Sequence, residues 1–422
     1  MIRSHLVDTR PLRTSRPFRA FWAGTAVSQF GGSMSSFALL YYVWEISHSP
    51  VVVGLVGLVV AVPLVVCGLI GGHLADTVDR RALLLWSRSA QLVVSAATAA
   101  LVISGVRSIP VVFVMIALTS ALSSLAAPVA QTVPPMLLGG TELSAGLALT
   151  RLAGQLALMT GPAIGGVLVA TIGVGACLVV DSVTFLAALW GISRLPRHAP
   201  RPSAAGEPEG GTRVLGGLMF VVRTPVILGA FLVDICAMVL ALPAALFPVI
   251  NAERFGGSPM TLGLMLPAIG LGGVLAGLFS GRLTAYPRQG LIMLISCAVW
   301  GAATAAFGAA PTLPLALAAL VVAGAADTFT VVSRGTMVQS ATPDELRGRV
   351  SSLDYLVGAG GPSIGDLRAG TIAGLTSGAI SCILGGLACV AGAGAIAAAN
   401  PGLRRWRLAT APRSRRPESS SA

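Results

Sequence analysis

Apolar runs of about 20 residues alternate with short polar breaks along the whole chain. A run of that length can cross the hydrocarbon core of a bilayer as a helix. The pattern therefore predicts an all-α membrane protein with twelve transmembrane helices. The predicted spans are about 18–44, 51–75, 82–104, 109–130, 144–170, 173–193, 225–249, 259–281, 289–309, 313–332, 349–374 and 377–398.

The polar breaks differ in charge between the two sides of the predicted bundle. All 28 basic residues are arginines, and they concentrate in the two tails and in alternate breaks. The loops on the opposite side offer only Arg107 and Arg254. Because cytoplasmic loops of membrane proteins are enriched in basic residues, we predict a multi-pass protein of the inner or cytoplasmic membrane with both termini in the cytoplasm.

A repeat and a polar segment divide the chain into two halves. The sequence Gly-Pro-Ala-Ile-Gly at 161–165 recurs as Gly-Pro-Ser-Ile-Gly at 361–365, an offset of 200 residues. A Pro-, Gly- and Arg-rich stretch midway along the chain predicts a flexible cytoplasmic linker. We therefore predict two pseudo-symmetric six-helix halves with substrate bound between them near the midplane. The predicted tail, half, linker, half and tail are 1–17, 18–193, 194–224, 225–400 and 401–422.

Composition excludes several classes of protein. With 55% hydrophobic residues, 10% charged residues and a mean hydropathy of +0.84, the chain is not a soluble globular domain. A net charge of +12 could indicate nucleic acid, but the chain has no basic domain with interleaved aromatics. The six cysteines lie in apolar runs without a CxxC, and the four histidines lie in polar breaks. We therefore expect no disulfide, no metal site and no ATP-binding loop.

Ionisable residues within the predicted spans are the strongest indication of function. Each costs about 2.5–3.5 kcal/mol at the centre of a membrane helix, so it should face a water-filled cavity or pair with another charge. A carboxylate that binds a proton in one conformation and releases it in another can couple transport to a proton gradient. The candidates are Asp181, Asp234, Asp327, Asp354, Asp366 and Arg368.

Each of these residues also has a structural interpretation. Asp181 could accept hydrogen bonds from neighbouring Ser and Thr, and Asp354 could be solvated near the cytoplasmic end. Asp366 and Arg368 are two residues apart and cannot stack on one helix face. We therefore expect Arg368 to reach a carboxylate on a neighbouring helix, either Asp327 or Asp234.

The stretch GGHLADTVDRR at 71–81 places two acids and two arginines between two apolar runs. It is either a short polar turn or a functional loop. Its spacing resembles the loop between the second and third helices of the major facilitator superfamily, although Asp79 stands where a glycine is usual. The matching residues are Gly72, Asp76, Arg80 and Arg81. The resemblance implies a gating role for Asp76.

The fifth span holds a run of small residues around a proline, GPAIGG, at 161–166. Small residues let helices approach closely, and proline bends a helix. The run also resembles the core of the antiporter signature of drug–proton exchangers in the superfamily, with Ala148 and Ala157 in place of upstream glycines. The residues that carry it are Gly161, Pro162, Gly165 and Gly166.

Four stretches resemble the enterobactin exporter branch of the superfamily, namely 7–57, 68–85, 234–249 and 323–370. The last two place acids and arginines where membrane helices seldom carry them. The resemblance implies a twelve-helix major facilitator fold and export of a siderophore. It makes five positions the most informative to test: Asp234, Asp327, Arg334, Asp366 and Arg368.

These observations predict a secondary transporter that exports an amphipathic small molecule by alternating access in exchange for protons. The expected substrate is a siderophore or related metabolite, and the alternative is multidrug or antibiotic efflux. A membrane-embedded enzyme would need a histidine–carboxylate pair or an activated serine inside the bilayer, so we expect no enzyme. The expected partners are membrane lipid, the small-molecule substrate and protons, without nucleic acid. We expect a monomer that uses the proton gradient and no cofactor.

Overall fold

A computed structural model describes residues 8–196, 210–241, 244–284 and 286–407. The regular secondary structure of these residues is helical, and no strand occurs among them. The first helices are α1 (Arg10–Thr14), α2 (Arg16–Ser47), α3 (Pro50–Thr77), α4 (Arg80–Ile103), α5 (Ile109–Leu137) and α6 (Gly140–Ser193). The later helices are α7 (Gly210–Arg223), α8 (Pro225–Ala241), α9 (Phe247–Arg254), α10 (Pro259–Gly263), α11 (Met265–Thr284), α12 (Gln289–Ala309), α13 (Leu313–Ala341), α14 (Asp344–Leu375), α15 (Gly378–Ala399) and α16 (Pro401–Arg405).

Helices begin where the sequence supplies start signals. At the start of α2, Ser15 Oγ accepts a hydrogen bond of 3.3 Å from the backbone N–H of Phe18. At the start of α4, Asp79 Oδ1 accepts one of 2.8 Å from Ala82. Pro50 opens α3, at a position where a missing N–H costs nothing. These groups satisfy or avoid the open donors of a first helical turn, so short polar breaks suffice between long apolar helices.

The helices are consistent with the predicted twelve crossings. In the part of the chain that the structure describes, nine helical stretches are long and apolar enough to cross a membrane. One of them, Glu142–Ser193, is 52 residues long, and its backbone leaves helical geometry at Gly173, where φ is 87°. It therefore makes two crossings. The remaining two are α2 and α14, each 32 residues long but richer in polar residues.

The repeated glycine motif packs the same way in both halves. In the first half, a Cβ atom built on Gly161 would lie 2.6 Å from Ser33 of α2. In the second half, a Cβ atom built on Gly365 would collide with the carbonyl oxygen of Met238 of α8. Both motifs therefore bring a proline-containing helix, α6 or α14, against the first crossing of its own half. The two halves are related as the repeat predicts.

The closest approaches between the halves lie at one end of the bundle. We name the end where α2 begins the basic end, and the end where α2 stops and α3 begins the far end. Gly54 of α3 meets Gly370 of α14, and Gly166 of α6 meets Gly263 of α10. A Cβ atom on Gly54 would lie 3.1 Å from the Gly370 Cα, and one on Gly166 would lie 3.0 Å from the Gly263 Cα.

Apolar packing reinforces the contact at the far end. One buried cluster combines side chains of both halves, including Phe37 and Tyr42 of α2 with Phe247 of α9 and Phe307 of α12. The rings of Phe247 and Phe307 meet edge to face, with centroids 5.5 Å apart. The far end is therefore closed between the halves.

The predicted linker contains a helix, which differs from the expected flexible segment. Within it, α7 packs on α14: a Cβ atom on Gly217 would lie 2.8 Å from the carbonyl oxygen of Arg349. Val221 is buried in a cluster with Phe231 of α8 and Val350 of α14. This apolar contact holds 210–223 against the second half, because a helix with a buried face is stabilised by packing. The tail residues 1–7 and 408–422 and the linker residues 197–209 lie outside the described residues.

Candidate functional site: an intramembrane charge cluster

Three helices of the second half bring opposite charges together. Arg334 of α13 forms an ion pair with Asp234 of α8, and both side chains are buried. The same guanidinium nitrogen lies 3.3 Å from Asp354 Oδ1 of α14. The Asp354 side chain is 39% exposed, so the cluster extends from two buried side chains to a partly exposed one. The pairing of Asp354 with arginine was not foreseen, and its solvation stays a prediction.

Asp327 extends this charge cluster toward the middle of the bundle. It lies midway along α13, two helical turns before Arg334 and on the same face. Its side chain is exposed, and it interacts electrostatically with both Arg334 and Asp234. An exposed carboxylate at this depth requires water or a counter-charge rather than hydrocarbon. The cluster thus holds three carboxylates around one guanidinium.

The predicted partner of Arg368 is wrong. Instead of reaching Asp327 or Asp234, Arg368 donates to two backbone carbonyls at the end of α8. Its Nε lies 2.8 Å from the oxygen of Val239, and one terminal nitrogen lies 2.6 Å from the oxygen of Leu240. The last carbonyl groups of a helix have no intrahelical donor and carry partial negative charge, so they attract a cation.

Asp366 binds the short turn that follows the end of α8. Its Oδ1 accepts a hydrogen bond of 3.0 Å from the backbone N–H of Ala245, in the 3-10 turn Ala244–Leu246 that separates α8 from α9. Its backbone carbonyl faces Gly54 of α3. Asp366 and Arg368 therefore fix the α8–α9 break beside the contact between the halves.

Asp181 anchors a polar network in the first half. Its Oδ2 accepts a hydrogen bond of 2.9 Å from Ser95 Oγ of α4, as the structural interpretation expected. It also interacts electrostatically with Arg88, which lies on α4 as well. Arg88 donates to Gln91 Oε1 over 2.7 Å. The sequence analysis missed Arg88, although it stands inside a predicted span and was detectable by the test that found Asp181.

The predicted gating stretch forms the connection between α3 and α4. The Asp76 side chain and the packing at Gly72 lie outside what the structure describes, so the predicted gate remains a prediction. Asp79 caps α4, and one terminal nitrogen of Arg81 donates to the carbonyl oxygen of Ser193 over 2.7 Å, at the end of α6. Arg80 begins α4. The loop thereby connects the basic ends of α3, α4 and α6.

The predicted antiporter-like run lies where α6 touches two partners. Gly161 and Gly165 face α2, while Gly166 and the carbonyl oxygen of Pro162 face Gly263 of the other half. At the equivalent position of the second half stands Asp366, which faces α3. The run is therefore part of a helix crossing and of the closed far end. Its role in antiport remains a prediction.

The six cysteines are free in the described part of the chain. One group of three potential metal ligands nevertheless converges in that part of the chain, formed by Cys236, Cys297 and Cys389. The sequence analysis did not foresee this group, because no short spacing motif connects the three residues. It lies in a core cluster of the second half.

Comparison with known families now adds to this geometry. The family model described as transmembrane secretion effector, a branch of the major facilitator superfamily, matches residues 8–421. The chain belongs to this family. The family assignment and the helical architecture agree with the predicted major facilitator fold.

Known relatives and solved structures support the same conclusion. The enterobactin exporter EntS of Shigella boydii serotype 4 (strain Sb227) is 25% identical over 362 residues, which cover 86% of this chain and 86% of that protein. The crystal structure of the nucleoside transporter NupG superposes with a TM-score of 0.71 at 14% identity, covering 91% of this chain and 98% of NupG. A bacterial homologue of the iron transporter ferroportin in its inward-facing state gives 0.70 at 14% identity, covering 92% and 99%. The protein is thus a multi-pass membrane transporter of the superfamily.

Proposed function

We propose that this transporter exports an amphipathic small molecule of the siderophore class across the cytoplasmic membrane in exchange for protons. Membership of the secretion effector family and the similarity to enterobactin exporters support export of such a molecule. The arginine-rich breaks support an orientation with the basic end in the cytoplasm. In that orientation the closed far end faces outward, and opening of the basic end would give the state in which an exporter takes up its substrate.

The observation that carries the coupling proposal is the excess of carboxylates around Arg334. One guanidinium neutralises one carboxylate, and Asp234 is its buried partner. Asp354 then adds a second negative charge beside the pair, and Asp327 adds a third at membrane depth, where uncompensated charge is costly. A proton bound to Asp327 would remove part of that cost. Movement of α13 relative to α8 during the transport cycle would change how far the positive charge of Arg334 compensates the carboxylates, and the proton would be released.

The position of the α8–α9 break gives this coupling a mechanical connection. Asp366 and Arg368 of the second half hold the break between α8 and α9, and the backbone carbonyl of Asp366 also faces Gly54 of α3 in the first half. Separation of the halves at the far end would therefore act on α8, which carries Asp234. In this proposal the charge cluster responds to the opening of the far end through a single continuous helix.

Transport into inside-out proteoliposomes tests the proposal. The vesicles are loaded with an acidic buffer, and an iron-free catecholate siderophore is added outside and quantified in the lumen by mass spectrometry. We expect accumulation only while the lumen is acidic, and its loss when nigericin collapses the gradient. Empty liposomes control for passive entry.

Other outcomes would overturn parts of the proposal. Accumulation of lipophilic drugs without the siderophore would replace the substrate class with multidrug efflux. Accumulation that is insensitive to the gradient would remove proton exchange. In vesicles loaded with the siderophore instead, movement only out of the lumen would reverse the direction of transport.

A further inference from the structure

Three thiols from three different helices meet inside the second half. Cys236 of α8, Cys297 of α12 and Cys389 of α15 place their Sγ atoms within 4.8 Å of one another. The Sγ atoms of Cys297 and Cys389 are 3.6 Å apart. All three residues are buried, and Cys236 is the most exposed at 8%. The fold alone brings them together, since Cys297 and Cys389 are 92 residues apart.

The surroundings of this thiol triad are apolar. Alanines, valine and methionine of the same core cluster pack around it. Besides the contact between Cys297 and Cys389, each thiol has a weak contact with a backbone carbonyl: Cys236 Sγ lies 3.7 Å from the oxygen of Cys389, Cys297 Sγ lies 3.6 Å from the oxygen of Val233, and Cys389 Sγ lies 3.6 Å from the oxygen of Cys297. Sulfur is a weak hydrogen-bond donor. These contacts therefore leave the sulfur lone pairs available to a soft ligand.

The spacing of the triad suits an ion with three sulfur ligands. An ion that keeps a lone pair binds three sulfurs as a pyramid, and at about 2.3 Å from each with angles of about 100° it separates them by about 3.5 Å from one another. That separation is close to the 3.6 Å between the Sγ atoms of Cys297 and Cys389, and all three pairs lie within 4.8 Å. Among the described residues no fourth histidine, cysteine or acidic ligand joins the group. The triad thus lacks the four ligands that structural zinc normally takes.

Charge then selects the kind of ion. Three thiolates carry three negative charges, and an apolar core strongly disfavours a net charge. A monovalent ion would leave two negative charges and a divalent ion one, while a trivalent ion gives a neutral complex. We propose that Cys236, Cys297 and Cys389 form a binding site for a trivalent thiophilic ion of the arsenic(III) type.

The binding reaction balances without an oxidant or a reductant. Arsenous acid, As(OH)3, reacts with three Cys–SH groups to give As(S–Cys)3 and three molecules of water. Three As–O and three S–H bonds break, three As–S bonds form, and arsenic stays in the +3 state. The thiol protons leave in the water. Because As(OH)3 is neutral at pH 7, it enters an apolar core more easily than a metal cation, and Cys236 is the first thiol it meets.

Arsenite binding to the reduced full-length transporter in detergent tests the site. Equilibrium dialysis should give one arsenic per chain, and X-ray absorption at the arsenic edge should show three sulfur neighbours. Replacing Cys389 with alanine should weaken binding at least about tenfold, because one of the three sulfur atoms that bind arsenic is lost. The matched control is Cys382→Ala, which removes another buried thiol of α15 and should bind arsenite as the natural protein does.

Phenylarsine oxide separates loss of a ligand from loss of folding. This arsenical binds two thiols, so Cys389→Ala should still take it up through Cys236 and Cys297. Three results would each overturn the proposal: fewer than three sulfur neighbours in the natural protein, equal arsenite affinity in Cys389→Ala, or tighter binding of zinc than of arsenite. The last result would show that neutrality of the complex does not select the ion.

Discussion

Gly54 is the position where a single methyl group tests how the two halves close the far end. In the structure a Cβ atom at this position would lie 2.7 Å from the carbonyl oxygen of Asp366 and 3.1 Å from the Cα of Gly370. Both neighbours are backbone atoms of α14, so no side chain can rotate to make room. Gly54→Ala therefore disfavours the closed far end, and opening of that end relieves the clash.

The size of the effect follows from the cost of overpacking. Inserting a methyl group into a well-packed contact costs about 1–3 kcal/mol. A cost that applies only to the closed state shifts the equilibrium between the two states by about 5- to 150-fold. If the open far end is populated at about 1% in the natural protein, the substitution raises it to about 5–60%. A shift of that size is measurable.

Pulsed electron paramagnetic resonance measures this shift directly. Spin labels at Arg107 and Thr312, both exposed in far-end loops of opposite halves, report the distance across that end. We expect a longer-distance population to grow in Gly54→Ala. The matched control is Gly68→Ala in the same helix, where an added Cβ has no neighbour within 4 Å. This variant should keep the natural distribution.

An unchanged distance distribution in a folded Gly54→Ala protein would refute the reasoning. Gly166→Ala provides an independent check on the other contact between the halves, because its Cβ would lie 2.7 Å from the carbonyl oxygen of Pro259. The same lengthening should appear there. If neither variant lengthens the distance, the glycine contacts do not determine which state is populated.

Two further predictions concern the polar contacts of the second half. Asp234→Asn leaves buried Arg334 without its main counter-charge, so we expect a loss of about 3–5 kcal/mol in stability. Thermal melts of this variant, of Arg334→Gln and of the double variant should show that the two losses are not additive. Arg368→Met removes the donors to two carbonyls, so we expect a loss of about 1–3 kcal/mol, whereas Arg368→Lys should retain part of the stability. A melting midpoint unchanged from the natural protein in either Asp234→Asn or Arg368→Met would contradict the corresponding contact.

The crossings and the two halves could be predicted because their signals are local or repeated. The length of an apolar run identifies a span without knowledge of its neighbours, and the glycine motif at 161–165 recurs at 361–365. The partner of Arg368 could not be predicted in this way, because Arg368 binds the carbonyl groups at the end of α8. The sequence analysis treated the seventh span as one helix over 225–249, while α8 ends at Ala241 and α9 begins at Phe247. Pro243 and Pro248 were the available warning, since proline interrupts a helix.

The contents of the site depended on which helices are neighbours. Asp234 and Arg334 were singled out, but their pairing requires α8 to lie beside α13. Arg88 was overlooked although the cost of a charge within a span applies to it equally. The thiol triad had no signal in the sequence, because its cysteines lie on three separate spans. The chemistry of the side chains could thus be inferred from the sequence, but which of them lie close together could not.

Proton release from inside-out vesicles tests the central claim most directly. Vesicles that carry the transporter are acidified inside and contain a fluorescent pH reporter, and a catecholate siderophore is added outside. The account predicts proton efflux on addition of the siderophore, and its loss in Asp327→Asn. The control variant is Glu45→Gln, which neutralises an exposed acid of α2 outside the charge cluster and should keep the response. Proton efflux at the natural rate in Asp327→Asn, or no efflux from the natural protein, would contradict the account.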